Sequence, residues 1–179
     1  MSDDRTLSLS TVTATIHAPI EKVNIADWLL QLPDAEYQRC SVAHIAGGSS
    51  TSDDGRAMSI NVETIGDAVV VQHYVAEVHE PHFCRMVSIS DSISPAGRTK
   101  LQVVWELSVK KIDERTCEYT NHIHGSAIDQ TLAFFKEHNI PFEKAHEARQ
   151  KASHAHNQEE TPKFAKSIEL RALNISQAA

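Results

Sequence analysis

His122 and His124 form the sharpest metal-like pair in the chain. On a strand, an i, i+2 spacing turns both imidazoles to one face, as a metal site built on a sheet needs. Further ligands must then converge to within ~2.0–2.2 Å of the ion, and Glu106 and Glu118 are the candidates. That face points away from the apolar side of the sheet, so no metal is expected. A second polar set, His73, Arg85, Tyr119 and Asn121, falls on the apolar side beside Trp105. A buried guanidinium needs a partner, and its planar fork suits the carboxylate or phenolate of a ligand. His73 and Tyr119 could exchange protons with that ligand, and Asn121 could orient it. A satisfied polar core would place the same residues in the same positions. The C-terminal histidines His138, His146, His154 and His156 read as solvated helix surface. His146-Glu147 is not HExxH, because Gln150 stands where the second histidine would be. No GxSxG nucleophile motif and no phosphate loop occurs.

The elements that must position these groups lie in residues 57–125. Met58, Ile60 and Val62 alternate with Ser59, Asn61 and Glu63, the period of a half-buried strand. Gly66-Asp67 suits a primed hairpin turn, which pairs Val62 with Val71 and Ile60 with His73. A loop at His79–Pro81 then sets Val75 against Arg85. A loop at Ser94–Gly97 sets Ile89 against Leu101 and Arg85 against Trp105. A turn at Asp113–Arg115 pairs Trp105 with Ile123, Leu107 with Asn121 and Val109 with Tyr119. These registers give one continuous apolar face carrying His73, Arg85, Trp105, Tyr119 and Asn121, and a one-residue slip would flip a whole strand.

Before the meander, Leu7–Ile16 is a strand and Pro19 opens a short helix to about Asn24. A second short helix follows at Ile25–Leu32. Tyr37–Ala46 is expected as a strand, and Gly47–Gly55 as a polar, mobile loop. After it, a helix over Ser126–His138 is interrupted at Asn139–Pro141. A second, with an alanine stripe at Ala145, Ala148, Ala152 and Ala155, covers Phe142–Asn157. Thr161-Pro162 looks like the start of a last helix to Leu173.

At 179 residues, the chain is expected to be a single domain, 1–179, with a core over 7–157 and a helical extension over 158–179. A net charge of −7 argues against nucleic acid or an anionic membrane as partner. No apolar run approaches the ~20 residues of a membrane span, and the first ten residues are too polar for a signal peptide, so a cytoplasmic protein is expected. Cys40, Cys84 and Cys117 are too sparse for a disulfide frame and read as small buried hydrophobes.

The fold class is therefore α+β. The order of elements resembles the START/SRPBCC (helix-grip, birch-pollen-allergen-like) superfamily and its polyketide cyclase/dehydrase group. Ile16-His17-Ala18-Pro19-Ile20-Glu21-Lys22-Val23 is similar to that family's passage from first strand to first helix. The resemblance implies a curved antiparallel seven-stranded sheet around a long C-terminal helix, with two short helices after the first strand and an apolar cavity between. It implies binding of a small hydrophobic or aromatic molecule, with His73, Arg85, Trp105, Tyr119 and Asn121 as contacts and no cofactor. The alternatives are a cyclase/dehydratase-type enzyme acting on a polyketide-like or aromatic substrate, and a homodimeric interaction module using the alanine stripe.

Overall fold

The computed structural model describes residues 5–174; the ends of the expected 1–179 domain lie outside the described residues. Seven antiparallel strands form one sheet in the order β1-β7-β6-β5-β4-β3-β2. They are β1 (Thr6–Ile16), β2 (His44–Thr51), β3 (Ala57–Ile65), β4 (Ala68–Glu80), β5 (Phe83–Ser94), β6 (Gly97–Lys111) and β7 (Cys117–Ala127). A 3₁₀ turn at Ile20–Lys22 and two helices, α1 (Ile25–Gln31) and α2 (Asp34–Cys40), carry the chain from one sheet edge to the other. Helix α3 (Asp129–Glu137) leads into α4 (Phe142–Ala172), which lies along β1 and across the inner face. No helix of the described residues is long and apolar enough to cross a membrane.

The edge strand β1 is closed by side chains of α4. Gln150 accepts from the backbone N–H of Leu9 at 2.8 Å and donates to its carbonyl at 2.9 Å, as a neighbouring strand would. His146 bonds the carbonyl of Thr6, and Asn157 donates to Ser10 Oγ at 3.0 Å. The Gln150 and His146 contacts satisfy backbone groups that an open sheet edge would expose.

The segment expected as one strand over Tyr37–Ala46 divides instead. Pro33 precedes a second short helix, α2, and β2 begins only at His44. The expected loop over residues 47–55 is in its first part the edge strand β2, which pairs Gly47 with Asn61 and Ser49 with Ser59. An edge strand with a polar outer surface has no apolar alternation to announce it. Gly47 serves a close approach: a Cβ there would lie 2.7 Å from Tyr37 Cδ1. Gly47→Ala is expected to destabilise the fold by about 1–3 kcal/mol through overpacking, seen as a lower urea midpoint at unchanged slope.

The β3–β4 and β6–β7 registers match expectation, with Val62 opposite Val71 and Trp105 opposite Ile123. The β4–β5 and β5–β6 registers do not. Across β4–β5, Val75 pairs with Val87 rather than with Arg85, a two-residue shift, with a bulge between Ala76 and Val78, that keeps the same residues on the same face. Pro95-Ala96 is a two-residue turn closed by Gly97 at φ 133°, and Ile89 pairs with Gln102 while Leu101 pairs with Ser90. This one-residue difference reverses β3, β4 and β5 relative to β6 and β7. The inner face therefore carries Glu63, Gln72, Tyr74, Met86, Ser88, Val103, Trp105, Tyr119 and Asn121, all buried. Met58, Ile60, Val62, Val71, Val75, Val87 and Ile89 stand on the outer face, half-buried or exposed.

Helix α4 runs unbroken through Pro162, correcting the expected helix start there. Thr161 is not an N-cap. Its hydroxyl donates to the carbonyl of Asn157 at 2.6 Å, the back-bonding that a buried helical threonine makes to the preceding turn. Beyond Pro162, Phe164, Ala165 and Ile168 are fully buried in the core.

Candidate functional site

A cleft of about 420 Å3 opens where α3 and the first turns of α4 stand off from the β3–β4 and β5–β6 turns. Leu7, Ile65, Leu101, Phe134, Phe135 and Ile140 make its walls apolar, and Ala145, Ala148 and Ala152 keep its helical side shallow. The alanine stripe of α4 thus lines a concavity. Thr131 fixes α3 at the cleft's edge: its Oγ1 accepts from Ile128 N–H at 2.9 Å and donates to the Lys100 carbonyl.

Beside the cleft lies a separate recess of about 20 Å3, the space of roughly one water molecule. Ile65 and Arg149 line both and form the neck. The recess ends on Ser8, Glu63, Gln72, Ser153 and His156. Arg149 Nε is buried with no hydrogen-bond partner among the described residues. Burial disfavours the charged guanidinium and lowers its pKa, a cost that the nearby Glu63 carboxylate only partly offsets.

Behind the recess lies a buried cluster of His44, Glu63, His156 and Glu160, with side chains 0–9% exposed. His44 Nε2 lies 3.1 Å from Glu160 Oε2 and 3.7 Å from Glu63 Oε2. His156 Nε2 lies 3.1 Å from Glu63 Oε2 and 3.2 Å from Glu160 Oε2. Tyr37 OH donates to Glu63 at 3.2 Å, and its ring stacks on His44 at 3.8 Å. Asn121 Nδ2 donates to Glu160 Oε1 at 2.9 Å, and Trp105 Nε1 donates to Asn121 Oδ1 at 2.8 Å. Burial disfavours a charged imidazole at His156, yet Glu160 and Glu63 overcome this and push its pKa up to about 11. Burial works against ionised Glu160 too, but His156 and His44 bring it down to about 2.

The structure separates the residues that the sequence analysis grouped. Trp105, Tyr119 and Asn121 face inward as expected; they lie in the core behind the cleft and line neither it nor the recess. Tyr119 OH is buried without a hydrogen-bond partner among the described residues. The inward placement of His73 and Arg85 is corrected by the β5–β6 register. His73 is exposed on the outer face, and Arg85 pairs there with Glu77 at 2.8 Å and with Glu106. His122 and His124 share the outer face and bond hydroxyls, His122 to Thr11 at 2.7 Å and His124 to Thr6 and Ser126 at 3.1 Å. His156, expected on the helix surface, is buried in the cluster. A usable signal was present: His156 and Glu160 are four residues apart and so share a helix face with Ser153, Asn157 and Phe164.

No family model matches the chain, and no curated protein matches its sequence. Solved structures do match its fold. The Zhui aromatase/cyclase from Streptomyces sp. R1128 superposes with a TM-score of 0.65 at 11% identity, over 91% of this chain and 94% of that one. A START superfamily protein from Mycobacterium smegmatis gives 0.52 at 11% identity, over 94% and 99%. Norcoclaurine synthase from Thalictrum flavum gives 0.51 at 9% identity, over 96% and 98%. With its seven-stranded sheet gripping one long C-terminal helix, the chain has the helix-grip fold that these structures share.

Proposed function

We propose that the protein binds a small, largely hydrophobic molecule in the cleft between sheet and C-terminal helix. Arg149 holds an acceptor group of that molecule at the neck. The observation that carries this reading is the buried, unpartnered Arg149 Nε at the inner end of an apolar cleft. A guanidinium whose buried Nε–H has no partner is suited to a ligand's carboxylate, phenolate or carbonyl oxygen. Affinity comes from the apolar walls at about 25 cal/mol per Å2 of surface removed from water. The likeness of fold to an aromatase/cyclase is consistent with an aromatic ligand.

Anilinonaphthalene sulfonate, an aromatic anion, is a suitable probe. Ala148 lines the cleft yet is exposed, so Ala148→Trp fills the cleft without disturbing the core. We expect Ala148→Trp to weaken probe binding at least about tenfold, the loss of about 1.4 kcal/mol, with an unchanged urea midpoint. Unchanged probe affinity would place binding elsewhere.

One observation favours a second reading, an enzyme of the cyclase or dehydratase type. Arg149 lines both the cleft and the adjoining recess that holds Glu63 and His156, so an aromatic or polyketide-like substrate in the cleft would have groups able to move a proton or polarise a carbonyl close to its inner end.

A further inference from the structure

His44, Glu63, His156 and Glu160 bring two imidazole nitrogens against two carboxylate oxygens in one buried cluster. His44 Nδ1 lies 2.6 Å from the carbonyl oxygen of Tyr37, which can only accept, so Nδ1 carries a proton. His156 Nδ1 faces Ser41 Oγ at 3.4 Å, and that hydroxyl gives its own proton to Glu159 at 2.9 Å. Nδ1 is therefore the donor at His156 as well. Both Nε2 atoms are left facing the Oε2 atoms of Glu63 and Glu160. One nitrogen or oxygen from each of the four residues lies within 4.8 Å of every other.

The nitrogen–oxygen separations among them are 3.1, 3.1, 3.2 and 3.7 Å. Four ligands bound at ~2.0–2.1 Å around a tetrahedral ion stand about 3.3–3.4 Å apart. The separations straddle that value. The surroundings supply the outer contacts that metal ligands need: a backbone carbonyl on His44, a hydroxyl on His156, Tyr37 OH on Glu63 and the Asn121 amide on the far oxygen of Glu160. Once a divalent cation has displaced the Nε2 protons, two neutral imidazoles and two carboxylates around it sum to zero charge, which a site this buried favours.

From this geometry we infer that the four residues form a binding site for a divalent transition-metal ion of the zinc class. Imidazole and carboxylate together suit zinc better than calcium or magnesium, which prefer all-oxygen shells, or copper(I), which prefers sulfur. Four protein ligands make a closed, structural shell. Glu63 and His156 also line the recess, so the ion would border the recess beside the cleft. The site does not depend on the ligand-binding reading, because all four residues lie behind the cleft.

The test uses the intact chain, stripped with a chelator and dialysed. Zinc added at about a hundredfold its Kd should raise the melting midpoint by roughly 5–10 °C. Cobalt(II) should give the intense visible bands of a four-coordinate ion, at a stoichiometry of one per chain. Glu160→Gln keeps the size and the Asn121 contact, and should abolish the cobalt bands. His122→Ala, on the outer face, should leave them intact. The rival arrangement is a metal-free network in which two imidazolium groups pair with the two carboxylates. Absence of both the cobalt bands and a zinc-dependent shift in the wild-type chain would establish that rival and overturn the inference. So would cobalt bands that survive Glu160→Gln but vanish with His122→Ala.

Discussion

Phe164→Ala is expected to lower the unfolding free energy by about 3–5 kcal/mol, measured by urea denaturation. Phe164 is fully buried in the last third of α4, beyond Pro162. Its ring meets Trp28 edge-on at 5.2 Å, His44 at 5.8 Å and Trp105 at 6.3 Å. It is thus the point where α1, β2, β6 and α4 come together. Truncation removes the ring's transfer free energy and leaves a cavity bounded by rigid aromatic neighbours, which cannot collapse into it. Trp28 is held from its other side, donating Nε1–H to Ser167 at 2.7 Å. If the helix after Pro162 were a loosely attached appendage, the loss would stay within about 0.5 kcal/mol, as for surface substitutions.

The second large effect belongs to the buried cluster. His156→Ala, measured with a chelator present so that only the protein groups count, should cost about 3–5 kcal/mol. The imidazole lies between Glu63 and Glu160, and its loss leaves two buried carboxylates facing each other with His44 as their remaining basic neighbour in the cluster. Glu160→Gln made on top of His156→Ala removes one of those charges and keeps an acceptor for the Asn121 amide. The double variant should therefore be more stable than the sum of the two single losses predicts, by a coupling of about 1–3 kcal/mol. Simple additivity would show that the two side chains do not share a network.

Much of the architecture was legible in the sequence because strands, turns and proline breaks leave local chemical marks. Gly66-Asp67 announced the β3–β4 hairpin, and Gly66 takes φ 68° there. Pro141 marked the gap between α3 and α4, with Pro141 preceding the first residue of the long helix. The Ala18-Pro19 passage placed the 3₁₀ turn and α1 correctly after β1. The candidate site was not legible, for a physical reason that the sheet makes plain. Its outer face is aliphatic over Met58, Ile60, Val62, Val71, Val75 and Val87. Its inner face over the same strands carries Ser59, Asn61, Glu63, Gln72, Ser88 and Ser90. Alternation alone assigns the aliphatic set inward. What reverses it is the two-residue turn at Pro95-Ala96, a local detail that moves every side chain of three strands.

The buried polar groups show the same limit. Glu63 and His156 are far apart in sequence and meet only because α4 lies across β3. Pro162 reads locally as a helix start, but the core contacts of Phe164 and Ile168 hold the helix through it. His44 was assigned to a strand beginning several residues too early, and its stacking on Tyr37 depends on α2 folding back over β2. Tertiary packing decided each of these, and local propensity alone does not reach them.

The most direct test of the ligand-binding account is a titration of isotope-labelled protein with naphthoate, an aromatic carboxylate, followed by amide chemical shifts. The account predicts saturable shifts confined to the cleft and its neck, at Ile65, Leu101, Phe134, Ile140, Ala148 and Arg149. It further predicts that Arg149→Met weakens the titration at least about tenfold, the loss of a charge-assisted pair. Saturable shifts centred on the outer sheet face, around Ile60, Val75 and Ile89, or no saturable shifts at all, would contradict it.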